Sequence, residues 1–262
     1  MKFIPLFLLF SIFCFSQKIS FVYDIKYKLS SDESEKPNSE TMILDIENTN
    51  SVFRQLMDKK SDSLTQNNKN GMFTLGVENQ FYVKKNLKDN SIIKIITYLH
   101  NNYALPITEK LNWKILTDQK VIGKYKSQKA EVNYGGRKWT AWFTSELSYN
   151  DGPYIFNGLP GLILSIEDDK TDYSFNLIQV KKLGDLFDIR LKSIPIDWTK
   201  YQNLAKSFYN DPYDLNSKLG KTVTFTDANG KQLDINQLSK NRQKDIIENN
   251  NPIELNHKIN YK

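Results

Sequence analysis

Long stretches of the chain alternate apolar and polar residues, and a period of two marks half-buried strands. Phe21, Tyr23, Ile25, Tyr27 and Leu29 share one face of the first such run. Met42, Leu44 and Ile46 repeat the pattern within Thr41–Glu47, and Asn48-Thr49-Asn50 supplies a turn. Ser51–Met57 fits a third strand or a short helix, because its periodicity favours neither. Asp58–Asn70 is rich in Ser, Asn and Lys and reads as a long, mobile surface excursion. Strands are predicted at Phe81–Leu87 and Ser91–Leu99 across the hairpin-sized Lys88-Asp89-Asn90, then at Leu111–Leu116 after Pro106.

Val121–Leu147 reads as the heart of a sheet. Val121–Asn133 and Lys138–Thr144 are strand-like runs separated by Tyr134-Gly135-Gly136-Arg137, and Gly-Gly is a tight-hairpin signal. Trp139, Ala141 and Phe143 fall on one face of the second run, and Thr140, Trp142 and Thr144 on the other. Large aromatics on both faces imply a strand covered on both sides, or one with a face lining a cavity. The stretch Gly152-Pro153-Tyr154-Ile155-Phe156-Asn157-Gly158-Leu159-Pro160-Gly161 then breaks the chain. It feeds a hairpin of Leu162–Glu167 and Tyr173–Val180 across Asp168-Asp169-Lys170-Thr171.

Further on the period lengthens. Trp198, Tyr201, Leu204, Ala205 and Phe208 recur at three- and four-residue spacing, which predicts a helix over Thr199–Asn210 with Asp197 as its N-cap. Thr222–Thr226 and Lys231–Ile235 flank Asp227-Ala228-Asn229-Gly230 like a hairpin. Gln237–Asn249 is a polar helix ended by Asn249-Asn250-Asn251-Pro252. The fold class is mainly β with added helices (α+β): a curved antiparallel sheet or half-open barrel, with helical additions from about residue 196. At the level of fold, such a sheet resembles the half-barrels of lipid carriers.

Composition narrows the setting. The 262 residues are 39% hydrophobic and 25% charged, enough to bury a sizeable core. Met1-Lys2 followed by apolar Phe3–Phe15 reads as a signal peptide, too short for a membrane span of ~20 residues. Cleavage after Ser16 leaves one β-rich domain over residues 17–262, exported to the periplasm, the outer membrane or beyond. Acylation at Cys14 is disfavoured by the bulky Phe13 before it. Cleavage removes the single cysteine, so a disulfide framework, a thiolate nucleophile and a cysteine metal site are excluded. It also takes Lys2 from the 36 basic residues, leaving 35 against 30 acidic. Those charges are scattered and four are arginine, so they describe a solvated surface and not a nucleic-acid footprint. No second apolar stretch reaches spanning length, and an integral membrane protein is not expected.

Little in the chain points to catalysis. His100 and His257 stand in unrelated contexts, without the spacing of a metal site or a Gly-x-Ser-x-Gly elbow. No loop is built to cradle phosphate, and neither metal nor cofactor is expected. The rival to a binding role is a carboxylate-dependent hydrolase of the envelope. It would need two of Glu131, Glu146 and Glu167 to face one cleft. Aromatic residues make up 13% of the chain. Arg137, Trp139, Trp142, Tyr154 and Phe156 belong either to the core or to a groove with aromatic walls for an apolar or peptide-like ligand. Gly158 and Gly161 bracket Pro160 in a turn that permits positive φ and close backbone approach. Leu159 and Leu162 can enter a core behind that turn, which is either a structural lock or a partner-binding edge.

Gly158-Leu159-Pro160-Gly161-Leu162-Ile163, preceded by Gly152-Pro153-Tyr154-Ile155-Phe156, resembles the signature of the GLPGLI family of exported Bacteroidota proteins. Gly135-Gly136-Arg137-Lys138-Trp139-Thr140-Ala141-Trp142-Phe143-Thr144 resembles that family's second block. The two blocks span roughly Val121–Glu167. Ser127 stands where members often carry a cysteine before the Gly-Gly turn, so no role of that thiol transfers. The resemblance implies an exported protein of unknown function that accompanies TonB-dependent outer-membrane receptors, and it brings no catalytic residue. The expected function is therefore an envelope accessory protein, non-enzymatic, that binds a protein partner or an apolar small molecule or peptide.

Overall fold

The computed structural model describes residues 18–32, 34–67, 74–182, 190, 192–213, 220 and 223–261. The leader, with Cys14 and the cleavage position, lies outside the described residues, as does Thr222. Among the described residues twelve strands form one sheet. In chain order they are β1 (Lys18–Tyr27), β2 (Asn38–Glu47), β3 (Asn50–Gln55), β4 (Val83–Asn86), β5 (Ser91–Tyr98) and β6 (Asn101–Pro106), then β7 (Lys114–Ile122), β8 (Tyr125–Tyr134), β9 (Arg137–Thr144), β10 (Leu162–Asp168), β11 (Tyr173–Lys182) and β12 (Ile194–Pro195). Their order across the sheet is β12-β6-β5-β4-β3-β2-β1-β11-β10-β9-β8-β7. All neighbours are antiparallel except β12, which lies parallel to β6. The sheet is open, with β12 and β7 at its two edges, so Val121–Leu147 lies at one side of it and not at its heart.

One face of this sheet is the core, and the alternation explains why. Phe21, Tyr23, Ile25 and Tyr27 on β1 share it with Met42, Leu44 and Ile46 on β2. Phe53 on β3, Trp139, Ala141 and Phe143 on β9, and Tyr173 and Phe175 on β11 belong to it as well. Phe53 and Phe175 stand three strands apart, so a flat sheet would hold their backbones roughly 14 Å from each other. Their ring centroids lie 6.0 Å apart. The sheet is bent inwards around its aromatic face.

The Gly-Pro stretch fills the hollow. Phe156 sits at its centre, with the rings of Trp139, Tyr134 and Trp113 at 4.7, 5.8 and 6.3 Å. The stretch is tied down at its start by Lys85, whose ammonium meets Asp151 Oδ1 at 2.5 Å and the Gly152 carbonyl at 2.6 Å. At its end Gly161 adopts a φ of +144°, and a Cβ there would lie 2.0 Å from the Thr144 carbonyl oxygen. Only glycine allows that approach, so this half of the signature is a lock between the loop and β9.

The described residues also hold three α-helices, α1 (Leu56–Gln66), α2 (Trp198–Asn210) and α3 (Ile235–Glu248), and a 3-10 turn at Leu255–His257. Ser51–Met57 divides between the end of β3 and the start of α1. The expected loop from Asp58 instead continues this helix to Gln66. Asp197 caps α2, its carboxylate accepting from the Lys200 amide at 2.7 Å. Val121–Asn133 is not one strand, because the chain turns at Gly123 (φ +58°) between β7 and β8. The expected hairpin around Asp227–Gly230 is reduced to a single bridge, Thr226 to Gln232. Among the described residues no helix is long and apolar enough to cross a membrane.

Candidate functional site

Past α3 the chain runs back over the concave face of the sheet and is clipped there. The clip is Arg137, at the start of β9. Its guanidinium donates to Asp168 at 2.7 Å, Asp172 at 3.0 Å and Asn251 Oδ1 at 2.7 Å. It also donates to the Pro252 and Ile253 carbonyls. The Tyr173 hydroxyl donates to the Asn251 carbonyl at 2.5 Å, and the Arg137 guanidinium lies over the Tyr173 ring. Gly135 and Gly136, both with positive φ in the β8–β9 turn, let the returning chain pass close. A Cβ on Gly135 would stand 2.9 Å from the Ile253 carbonyl oxygen.

This arrangement carries Glu254 inward. Its Oε1 accepts from the Tyr154 hydroxyl at 2.6 Å and the Tyr134 hydroxyl at 2.9 Å, and its Oε2 from Lys94 at 3.2 Å. Burial pushes the Glu254 carboxyl up, but the Lys94 charge and the three donors outweigh it and hold the group below the usual carboxylate range. Tyr134 and Tyr154 are driven well above the ordinary tyrosine value by burial and then by the Glu254 charge. Glu254 is therefore an ionised carboxylate inside the protein, and both tyrosines remain donors. Tyr154 holds its place with a backbone φ of +52°, a conformation uncommon for a bulky residue.

Above this pair lies a cavity of about 330 Å³ between the sheet, α2, α3 and the returning chain. Lys94 and Glu254 line its inner end, and Phe81, Tyr173, Trp198 and Tyr201 form much of its wall. His257 stacks flat on Trp198, centroids 3.9 Å apart and planes at 7°. Burial lowers the His257 pKa against the pull of Glu254 and Glu109, which favours the neutral ring. At the rim Arg242 pairs with Glu78, and Asp245 adds a further carboxylate. Among the described residues no group of three or more His, Cys, Asp or Glu is placed to hold a metal ion.

The residues singled out from the sequence are spread across the molecule. Trp139 and Phe156 are fully buried in the core, and Arg137 is spent on the clip. Trp142 points to the opposite face, where the Lys120 ammonium lies 4.1 Å from its ring centroid. Of the five, Tyr154 alone lines the cavity. The motif residues Gly158 to Ile163 do not line it and instead shape the passage of the Gly-Pro stretch into β10. Glu131 lies between Lys129 and Lys138, Glu146 accepts from the Lys126 amide, and Glu167 is exposed. None of these three carboxylates lines the cavity. Sequence reasoning missed Lys94 and Glu254, although each had a signal. Each is a charged residue placed among apolar neighbours, in Ile92-Ile93-Lys94-Ile95-Ile96 and Pro252-Ile253-Glu254-Leu255.

Comparison with known proteins adds little chemistry. A family model described as a protein of unknown function (Porph_ging) matches residues 135–165, which is the β8–β9 turn, β9 and the Gly-Pro stretch into β10. No curated protein matches the sequence. Solved structures of PNGF-II in C2 and P21 crystal forms are similar to this chain with a TM-score of 0.53 at 17% identity. The match covers 72% of this chain and 33% of theirs, so the chain spans about a third of the length of those structures. The likeness concerns the fold alone. A LolA superfamily protein, NE2245 from Nitrosomonas europaea, aligns at a TM-score of 0.27 and 10% identity, over 65% of this chain and 88% of that one.

Proposed function

We propose that this protein is an exported, non-catalytic binding protein of the cell envelope, and that the cavity under the C-terminal cover receives a small, largely apolar ligand. The observation that carries the proposal is the cavity itself. It has the size of a small-molecule site, aromatic walls and a few convergent polar groups at one end. Export is supported by the leader sequence. Service beside an outer-membrane receptor is supported only by the resemblance of the Gly-Pro motif.

Titration with the neutral apolar fluorophore N-phenyl-1-naphthylamine tests the binding reading. Its emission should rise and saturate at one molecule per chain. Trp198→Ala, which removes part of the wall, should weaken that signal while circular dichroism stays unchanged. A chain that gives no saturable signal, or a Trp198→Ala variant that binds as well as the parent, would contradict the reading.

A further inference from the structure

The inner end of the cavity is built for one kind of head group. Among the described residues the Lys94 ammonium, with three donors, meets a single hydrogen-bond acceptor, Glu254 Oε2 at 3.2 Å, and otherwise lies 5.3 Å from the Tyr154 ring centroid. That oxygen in turn takes only Lys94, because both tyrosine hydroxyls bond to Oε1. The cavity therefore ends in a donor and an acceptor side by side, each with spare capacity, and together they are electrically neutral. A carboxylate ligand would meet a lining that holds three carboxylates (Glu78, Asp245 and Glu254) against two cations (Lys94 and Arg242). An ammonium ligand would have to lose its water beside the Lys94 charge. The one carboxylate in excess, Asp245, is exposed at the rim, so at the inner end either ion would be desolvated without an unspent counter-charge, which is costly.

A primary amide fits the pair, because one of its N–H bonds lies on the same side as its carbonyl oxygen, which a trans peptide bond does not offer. Bond lengths of 1.23 Å for C=O and 1.33 Å for C–N place its oxygen and nitrogen about 2.3 Å apart. That spacing lets the carbonyl accept from Lys94 while the N–H donates to Glu254 Oε2. A cavity of about 330 Å³ has room for an aromatic ring and an amide head. We infer that the cavity takes a ligand with a neutral primary amide head and an aromatic or apolar body, the amide bridging Lys94 and Glu254. This inference rests on reading the cavity as a binding site.

Three probes of one shape separate the possibilities by calorimetry at neutral pH: 3-phenylpropanamide, 3-phenylpropanoate and 3-phenylpropylammonium. The amide is expected to bind at least tenfold tighter than either ion, and Lys94→Met is expected to abolish that preference. The series on the unaltered chain is decisive whether or not the variant folds. Equal or tighter binding of the carboxylate or the ammonium would overturn the inference. So would failure of all three probes. If N-phenyl-1-naphthylamine still binds in that case, the cavity reading survives and the head-group inference alone is wrong; if it does not, both fall.

Discussion

At the scale of single residues, Gly158 and Gly161 look alike in the sequence but differ in the structure. Gly158 has a φ of +90° and open space on the side where a Cβ would stand, whereas a Cβ on Gly161 collides with the Thr144 carbonyl. Gly158→Ala should therefore cost only backbone strain, about 1–3 kcal/mol in urea unfolding. Gly161→Val should prevent the loop from docking and abolish the cooperative transition. Equal effects of the two changes would show that the close approach is unimportant. Glu254 allows a second test. Its folded pKa is depressed, so its contribution to stability is complete above the unfolded value of about 4.3 and is lost as pH falls through the lower folded value. Between pH 5 and 2 the unfolding free energy of the parent should therefore fall more steeply than that of Glu254→Gln. Parallel slopes would remove Glu254 from its assigned role. The turn glycines could be read from Gly-Pro spelling, but Lys94 and Glu254 could not be paired in advance, since 160 residues separate them.

At the scale of elements, what could be read depended on what holds each element. Helix α2 showed itself because Trp198, Tyr201, Ala205 and Phe208 repeat at helical spacing and Asp197 caps it. Asp197→Ala should destabilise the protein by about 0.5–2 kcal/mol. Because α2 carries Trp198 and Tyr201, fraying of its first turn should also weaken N-phenyl-1-naphthylamine binding. Unchanged binding would detach the helix start from the site. Helix α1 escaped the sequence reading for a physical reason: its buried residues are Ser61 and Asp62, and charges fix it. Asp62 meets Arg54 at 2.8 Å, Lys59 meets Asp45 at 2.7 Å, and Arg190 reaches Asp58 at 2.7 Å and Asp62 at 2.9 Å. No apolar period could betray a helix held by ion pairs. The β8–β9 turn gives a matched comparison, since Gly123 and Gly135 have φ of +58° and +63° but only Gly135 faces another backbone. Gly135→Ala should destabilise more than Gly123→Ala, by about 1–3 kcal/mol.

At the scale of the whole molecule, strand alternation revealed a curved, mainly β protein, because a sheet with one buried face writes its period directly into the chain. The returning C-terminal segment was hidden, because a clip made of one arginine, two aspartates, the Asn251 side chain and backbone carbonyls has no periodic signature. The buried tyrosines give the fold a limit at high pH. Tyr23, Tyr134 and Tyr154 are raised well above the ordinary value by burial. Their stabilisation is complete below the unfolded value near 10 and is lost as pH rises beyond it. The last part of the rise in tyrosinate absorbance should therefore coincide with loss of the circular-dichroism signal. The central claim, that the ligand sits beneath the C-terminal cover, can be tested on the four tryptophan indole N–H resonances. Trp113 is bonded to the Asn157 carbonyl, Trp139 to the Tyr134 carbonyl, and Trp142 lies on the far face. Titration with 3-phenylpropanamide should shift Trp198 and leave those three in place. A shift confined to Trp142 or Trp113, with Trp198 unmoved, would contradict the account.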